Sequence, residues 1–284
     1  MDKTKVQTKG TLFKETKWWY YLVAILLVVI YLLPIYVLIN LSFRTIQDIG
    51  SKVRLPEIMN LGNYISVFKS SAVWRGFINT VILMVETVVL EILVSALGAY
   101  GLVRSSNRLS EMIRTLNMGI MMIPGVALLV GTYSLMVKFN MANTLWGLAL
   151  LSAAGGIPAT MFMYANFVSS IPVALDEAAM IDGAGVLRTF FQIIMPQLKA
   201  VTVTRIIMSA TGSWNNYLMP MYLLQDKTKH TIILTIKEAF NTGNGVGDLP
   251  KACATCVVGL LPIIVLYLFL QRYIIEGQID SSVK

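Results

Sequence analysis

The chain has 284 residues, 56% of them hydrophobic and only 13% charged, with a mean hydropathy of +0.69. A soluble domain carries about 25% charged residues because its surface must stay hydrated, so this composition excludes a water-soluble body and requires a membrane protein. The formal charge of +8 then points to anionic lipid and cytoplasmic loops rather than to nucleic acid, and two cysteines cannot form a disulfide framework.

A helix crossing about 30 Å of hydrocarbon needs roughly 20 residues. Stretches of that length with few or no charges predict six spans, near 18–40, 77–103, 115–137, 145–168, 205–224 and 253–271. The first opens on Trp18, Trp19, Tyr20 and Tyr21, rings that favour the headgroup layer. It is too long for a signal segment, whose apolar part runs about 7–15 residues, and reads as an anchor. Six spans place both termini on one side. With the termini inside, 13 Lys and Arg lie on inside segments and 10 outside, and the five lysines of 1–17 adjoin the first span. That distribution predicts cytoplasmic termini. The outer segments are 44–75, a short turn at 139–144, and 225–251, which ends in the glycine-rich run 241–248, read as a flexible loop. The chain divides into a head, first span and extracytoplasmic segment (1–72), a transmembrane core (73–272) with a cytoplasmic loop at 170–200, and a tail (273–284).

The loop between spans four and five has the most specific pattern. Pro172 suits a first helical turn, and Asp176 and Glu177 are early enough to favour the helix dipole. Gly183 tolerates the positive φ that ends a helix. Leu187, Phe190, Phe191 and Ile194 then recur at i, i+3, i+4 and i+7, which predicts one apolar face of a second helix, and Pro196 closes the unit. Spacing alone leaves two readings open: a hairpin resting on headgroups, or a docking element for another subunit.

Within the spans, Ser213, Trp214, Asn215, Asn216 and Tyr217 place polar groups where they are costly unless paired or facing a cavity, so they are candidates for lining a pathway. An aromatic ring beside amides also suits a sugar. The alternative is hydrogen bonding between helices, at about 1 kcal/mol or less per bond. Glu86 and Glu91 are about 140° apart around a helix and do not form one paired-carboxylate face; a proton relay through them would imply a secondary transporter. Cys253 and Cys256 at the entrance of span six read as small residues for helix packing. His230 has no metal-ligand company, and a single histidine in a loop assembles no catalytic constellation, so neither a metal site nor an enzyme is expected. Pro34, Pro124, Pro158, Pro220 and Pro262 lie in spans, where proline is tolerated and can kink a helix.

Glu177-Ala178-Ala179, three residues, Gly183, then Ile194-Met195-Pro196 resembles the signature loop of binding-protein-dependent ABC importer permeases, and the wider match is to the carbohydrate-uptake branch, near the second membrane subunit of maltose-type importers. Similar matches occur at Leu61–Tyr64, Asn79-Thr80, Ala96–Tyr100 with Arg104, Met122–Gly125, Thr144–Gly147, Trp214–Tyr217 and the tail from Gln271. The resemblance implies an all-α, six-span type I importer fold in the cytoplasmic membrane of a bacterium, transporting a sugar or oligosaccharide. It implies a coupling helix in which Glu177, Ala178, Ala179, Asp182, Gly183 and Pro196 engage a separate ATPase, Glu177 by a polar contact and the small residues by close approach. It further implies a homologous second permease, two ATPase subunits and an extracytoplasmic solute-binding protein. The chain has no Gly-x-x-x-x-Gly-Lys-[Ser/Thr] phosphate loop, so ATP and magnesium would sit on the partner ATPase. An importer for another solute, such as a glycerol phosphodiester, is the alternative within the class.

Overall fold

The computed structural model describes residues 18–48, 50–105, 107–241 and 248–282, with side chains as far as Phe269. The described residues form helices and turns without strands. Four helices are long and apolar enough to cross a membrane as continuous rods: α1 (Trp18–Ser42), α3 (Ser71–Arg104), α6 (Leu145–Ser169) and the first part of α13 (Leu249–Ser282). Two further candidates are helix pairs bent at a short break. Counting each pair as one span gives the six expected.

The third span is α4 (Arg108–Met121), a 3-10 turn (Gly125–Leu128) and α5 (Leu129–Lys138), with a 95° bend. Pro124 has no N–H for the helical ladder and disfavours a helical residue before it. Its own backbone is extended, at φ −62° and ψ 124°, so the chain turns aside there. The fifth span also departs from 205–224. It starts earlier, as α10 (Lys199–Trp214), stops at Asn215-Asn216, and resumes as the short α11 (Leu218–Leu223). The Asn216 carboxamide accepts from the Met219 N–H at 3.4 Å, a side-chain cap that competes with continuing the helix.

Helices α3, α6 and α10 form the centre, with α13 packed on α10 and α1 on α13. Near the 170–185 loop, Tyr100, Tyr164, Phe190, Ile194 and Leu198 fill one core cluster; at the opposite end, Leu83, Met136, Leu148 and Leu223 fill another. Helix α1 buries only Asn40 and Ser42, as expected of a helix apolar all round and solvated by lipid.

The outer segments are more structured than their composition predicts. Segment 44–75 wraps around Arg44, which is 1% exposed and donates to the carbonyls of Gly50, Ser51 and Arg54. Helix α2 (Gly62–Lys69) closes this knot through Asn63, whose Nδ2 donates to the carbonyls of Ser42 and Arg44 at 2.9 Å each. Segment 225–251 contains a 3-10 turn (Lys227–Lys229) and α12 (Ile232–Phe240). These are sewn to α3: Asn79 Nδ2 donates to the carbonyls of Thr228 and His230, and the Ile232 N–H donates to Thr80 Oγ1. The glycine-rich run 242–247 lies outside the described residues.

Candidate functional site

Two regions combine chemistry with geometry: the tip of the 170–200 loop and a cavity among the central helices.

At the tip, α7 (Ala174–Ile181) ends in a Schellman turn. Gly183 has φ +77°, its N–H donates to the Met180 carbonyl at 3.0 Å, and the Ala184 N–H donates to the Ala179 carbonyl at 2.9 Å, the two bonds that define the motif. The inner face of α7 is locked to the end of α3. Asp176, 4% exposed, accepts from the Tyr100 hydroxyl at 2.5 Å and pairs with Arg104 at 2.9 Å. Arg104 also donates to the Ile171 carbonyl at 3.1 Å. Sequence reasoning assigned Asp176 to the helix dipole and missed this clamp; an i, i+4 pair of Tyr and Arg ending α3 was the available signal.

The outer face differs from expectation in two ways. Ala179 is buried and packs within this chain, whereas Glu177, Ala178, Asp182 and Gly183 are exposed. Beside them Met180 and Ile181 are also exposed, Ile181 at 86%, so the tip presents apolar groups to its surroundings. Helix α8 (Val186–Thr189), a π turn (Phe190–Ile194) and α9 (Met195–Gln197) follow, meeting α10 at 80°. The predicted single apolar face divides: Phe190 and Ile194 are buried in the core cluster, whereas Leu187 and Phe191 are exposed. Pro196 is the cause. It cannot donate to the carbonyl of residue 192 and its ring crowds that carbonyl. The chain widens into a π turn, with the Met195 N–H donating to the Phe190 carbonyl, which displaces the regular register. The bend falls at Leu198, with Pro196 in the helical turn before it.

The cavity, about 690 Å³, lies between α3, the bent α4–α5 span, α6 and α10. Its charged element is an ion pair that joins α3 to α10: Arg205 Nη2 donates to Glu91 Oε1 at 2.6 Å, with the two side chains 10% and 4% exposed. Thr160 of α6 donates to the same oxygen, and Ser209 Oγ donates to Oε2 at 2.6 Å. Gly156 lets the carboxylate approach α6: a Cβ there would be 2.5–2.8 Å from the Glu91 carboxyl atoms. The charge pattern placed Arg205 at the cytoplasmic start of span five, but the earlier start of α10 draws it inward. Charge counts treat each residue alone and miss that pairing. Glu86 takes no part in these bonds, and its buried Oε2 has no hydrogen-bond partner.

Of the five pathway candidates, Ser213 and Asn216 line the cavity. Trp214 does not: it is 3% exposed and packs against Phe77, ring centroids 6.2 Å apart. Asn215 and Tyr217 are exposed outside the lining. Cys253 and Cys256 are unlinked, with Cys253 buried. No cluster of three or more metal-ligating side chains occurs among the described residues. In the outer loop, hydrogen bonds from the Thr228 hydroxyl and N–H hold the Asp226 carboxyl below its ordinary value.

Comparison with known proteins agrees with this architecture. A family described as "Binding-protein-dependent transport system inner membrane component" matches residues 91–278. The Melibiose/raffinose/stachyose import permease protein MelC of Bacillus subtilis (strain 168) is 34% identical over 264 residues, covering 93% of this chain and 95% of that one. The Multiple sugar-binding transport system permease protein MsmG of Streptococcus mutans is 30% identical over 279 residues, covering 95% and 99%. Among solved structures, a chain of a bacterial ABC transporter involved in import of the acidic polysaccharide alginate shares the fold, with a TM-score of 0.78 at 21% identity over 90% of this chain and 96% of that one.

Proposed function

Because the chain belongs to the family of binding-protein-dependent transport system inner membrane components, we propose that it is one permease half of an ATP-driven importer for a neutral sugar or oligosaccharide. The observation that carries the coupling role is the tip of α7. A short helix is clamped on its inner face by Tyr100 and Arg104 through Asp176, while its outer face offers Glu177, Ala178, Met180, Ile181, Asp182 and Gly183. A rigid, exposed, partly apolar projection is suited to a groove on a partner. That partner is an ATPase dimer holding ATP and magnesium. Its closure draws on the tip, and α8–α9, which follow the tip directly and bury Phe190 and Ile194 in the core, pass the displacement to α10. Pro196, behind the π turn, shapes the bend through which the pull is transmitted. Ala179 serves this unit from the inside, as the small residue that lets α7 pack.

The sugar assignment is supported by the names of the two relatives at 34% and 30% identity. The remaining parts of the assembly are a homologous second permease and an extracytoplasmic binding protein that delivers the solute. Both termini are cytoplasmic, and the membrane is that of a bacterial cell. A proton-coupled transporter using Glu86 and Glu91 is disfavoured, since Glu91 is committed to Arg205, Thr160 and Ser209. An importer for a glycerol phosphodiester finds no support in those names.

The test is purification in mild detergent from the native membrane, followed by reconstitution with the co-purifying proteins. The expected result is recovery of a second six-span subunit and an ATPase, and ATP-dependent uptake of labelled raffinose or melibiose when the binding protein is supplied. Uptake by this chain alone, driven by a proton gradient without ATP, would overturn the reading.

A further inference from the structure

Beyond the end of α1 the chain doubles back along it. Tyr36, Asn40 and Arg44, spaced four residues apart, serve five consecutive backbone carbonyls. Arg44 Nη1 donates to the Gly50 carbonyl at 3.0 Å and Nη2 to that of Ser51 at 2.6 Å. Asn40 Nδ2 donates to the carbonyls of Lys52 at 3.1 Å and Arg54 at 2.8 Å, and Arg44 Nη2 also donates to that of Arg54. The Tyr36 hydroxyl donates to the Val53 carbonyl at 2.8 Å. The chain rejoins the end of α1 at Asn60, whose N–H donates to the Phe43 carbonyl at 2.7 Å. Irregular backbone in water leaves such carbonyls to the solvent. Beside hydrocarbon they need protein donors, because unsatisfied polar groups are costly there.

We infer that residues 51–59 form a lipid-binding segment at the outer boundary of the bilayer, with Val53, Leu55, Ile58 and Met59 among the acyl chains and Lys52 at the level of the phosphates. All four apolar side chains are exposed, Ile58 at 72%. Their depth follows from α1. Tyr36 lies 18 residues beyond Trp18, about 27 Å along a helix rising 1.5 Å per residue, and the hydrocarbon is about 30 Å thick. With the rings of Trp18–Tyr21 at one headgroup layer, Tyr36 and Asn40 fall at the opposite boundary, and the bonded backbone of 52–54 falls there with them. The occupant follows from continuity. Helix α1 buries only Asn40 and Ser42, so lipid that solvates Ile35 and Ile39 meets Val53 in the same layer. The charges agree: Arg54 pairs with Glu57 at 2.8 Å, which leaves Lys52 to reach a lipid phosphate on its flexible stem. The side-chain ladder thus holds the outer segment in lipid and fixes the depth of α1. This goes beyond the importer reading and is independent of the solute.

The experiment uses the complete assembly in nanodiscs of phosphatidylethanolamine and phosphatidylglycerol. In a Cys253→Ala/Cys256→Ala background, a nitroxide is attached at Val53→Cys or Ile58→Cys, exposed positions whose side chains make no hydrogen bond. Spin relaxation then compares collisions with oxygen, which concentrates in hydrocarbon, and with a nickel chelate confined to water. Leu32→Cys on α1 is the lipid reference, and Lys227→Cys, whose native side chain is 81% exposed in the other outer loop, is the water reference. The expected result is oxygen-dominated relaxation at 53 and 58, as at Leu32→Cys, against nickel-dominated relaxation at Lys227→Cys. Adding Tyr36→Phe, which takes the donor from the Val53 carbonyl, should shift the label at 53 toward nickel. Nickel-dominated relaxation at 53 and 58 without Tyr36→Phe places the segment in water and overturns the inference. Protection from both reagents overturns it as well, because a protein subunit would then cover the segment. A label at 53 that Tyr36→Phe does not move overturns the ladder as its hold on the bilayer.

Discussion

Replacing Arg205 with methionine isolates the energetics of the central ion pair. Methionine retains much of the volume and the apolar stem, so the main change is the loss of the guanidinium beside Glu91. The carboxylate would keep its bonds from Thr160 and Ser209 but remain buried without a countercharge. Removing one partner of a buried pair costs about 3–5 kcal/mol, and the two surviving hydroxyl bonds place this case near the lower end, at about 3 kcal/mol. At roughly 2–4 °C per kcal/mol for a domain of 150–250 residues, the melting temperature should fall by about 6–12 °C. The assay is thermal unfolding of the purified assembly in nanodiscs, run as a double-mutant cycle with Glu91→Leu. Removing both charges relieves the uncompensated carboxylate, so Glu91→Leu/Arg205→Met should melt above Arg205→Met, with a coupling of about 2–3 kcal/mol. Additive losses, or an unchanged melting temperature in Arg205→Met, would refute the account of a desolvated, mutually dependent pair.

Three further outcomes are expected. Gly156→Ala sets a methyl 2.5–2.8 Å from the Glu91 carboxyl atoms and should destabilise by about 1–3 kcal/mol through overpacking; Gly155→Ala, with nothing within 4 Å, should be neutral or stabilising in the same thermal assay, since alanine favours helix. Gly183→Val forces a β-branched residue to φ +77°, where even an unbranched L residue costs about 1–2 kcal/mol; the ATPase should be lost from a pull-down while the second permease is retained, and wild-type ATPase recovery would reject the docking role of the tip. In the outer loop, the depressed carboxyl of Asp226 contributes order above its ordinary value that is lost as pH falls through the depressed one; Thr228→Val removes the hydroxyl bond, so a carboxyl-carbon NMR titration should show the transition at higher pH.

The named motifs were legible as patterns, and the structure supplies reasons for several. Thr144 and Gly147 form an N-cap at the start of α6, the Gly147 N–H donating to Thr144 Oγ1 at 3.0 Å. Asn79 and Thr80 tie α3 to the outer loop, and Tyr100 and Arg104 hold the tip through Asp176. Each residue type could be picked out, but its partner is 60 or more residues away in several of these bonds, and distance in sequence carries no sign of it. The pathway candidates were legible only in part. The sequence offers Ser213, Trp214, Asn215, Asn216 and Tyr217 within a span and nothing that ranks one above another. Ending α10 at Trp214 sends Trp214 into the α3 and α13 core and leaves Ser213 and Asn216 on the cavity.

By itself the sequence determined the class of the molecule: a charge share too low for a soluble surface, six stretches able to cross hydrocarbon, a glycine-ended helix in the loop before span five, and the motifs of a transport family. These are local quantities, set by composition, spacing and single-residue backbone preferences. Only the tertiary structure decided which polar groups meet. It bent the third span at Pro124, turned the chain by 80° where the loop meets α10 behind Pro196, drew Arg205 from the expected cytoplasmic edge onto Glu91, and turned Ala179 inward while leaving Ile181 outside. The physical reason is the low dielectric of the bundle interior. There a charge or hydroxyl is tolerated only beside a partner, and that partner is chosen by the packing of helices distant in the chain.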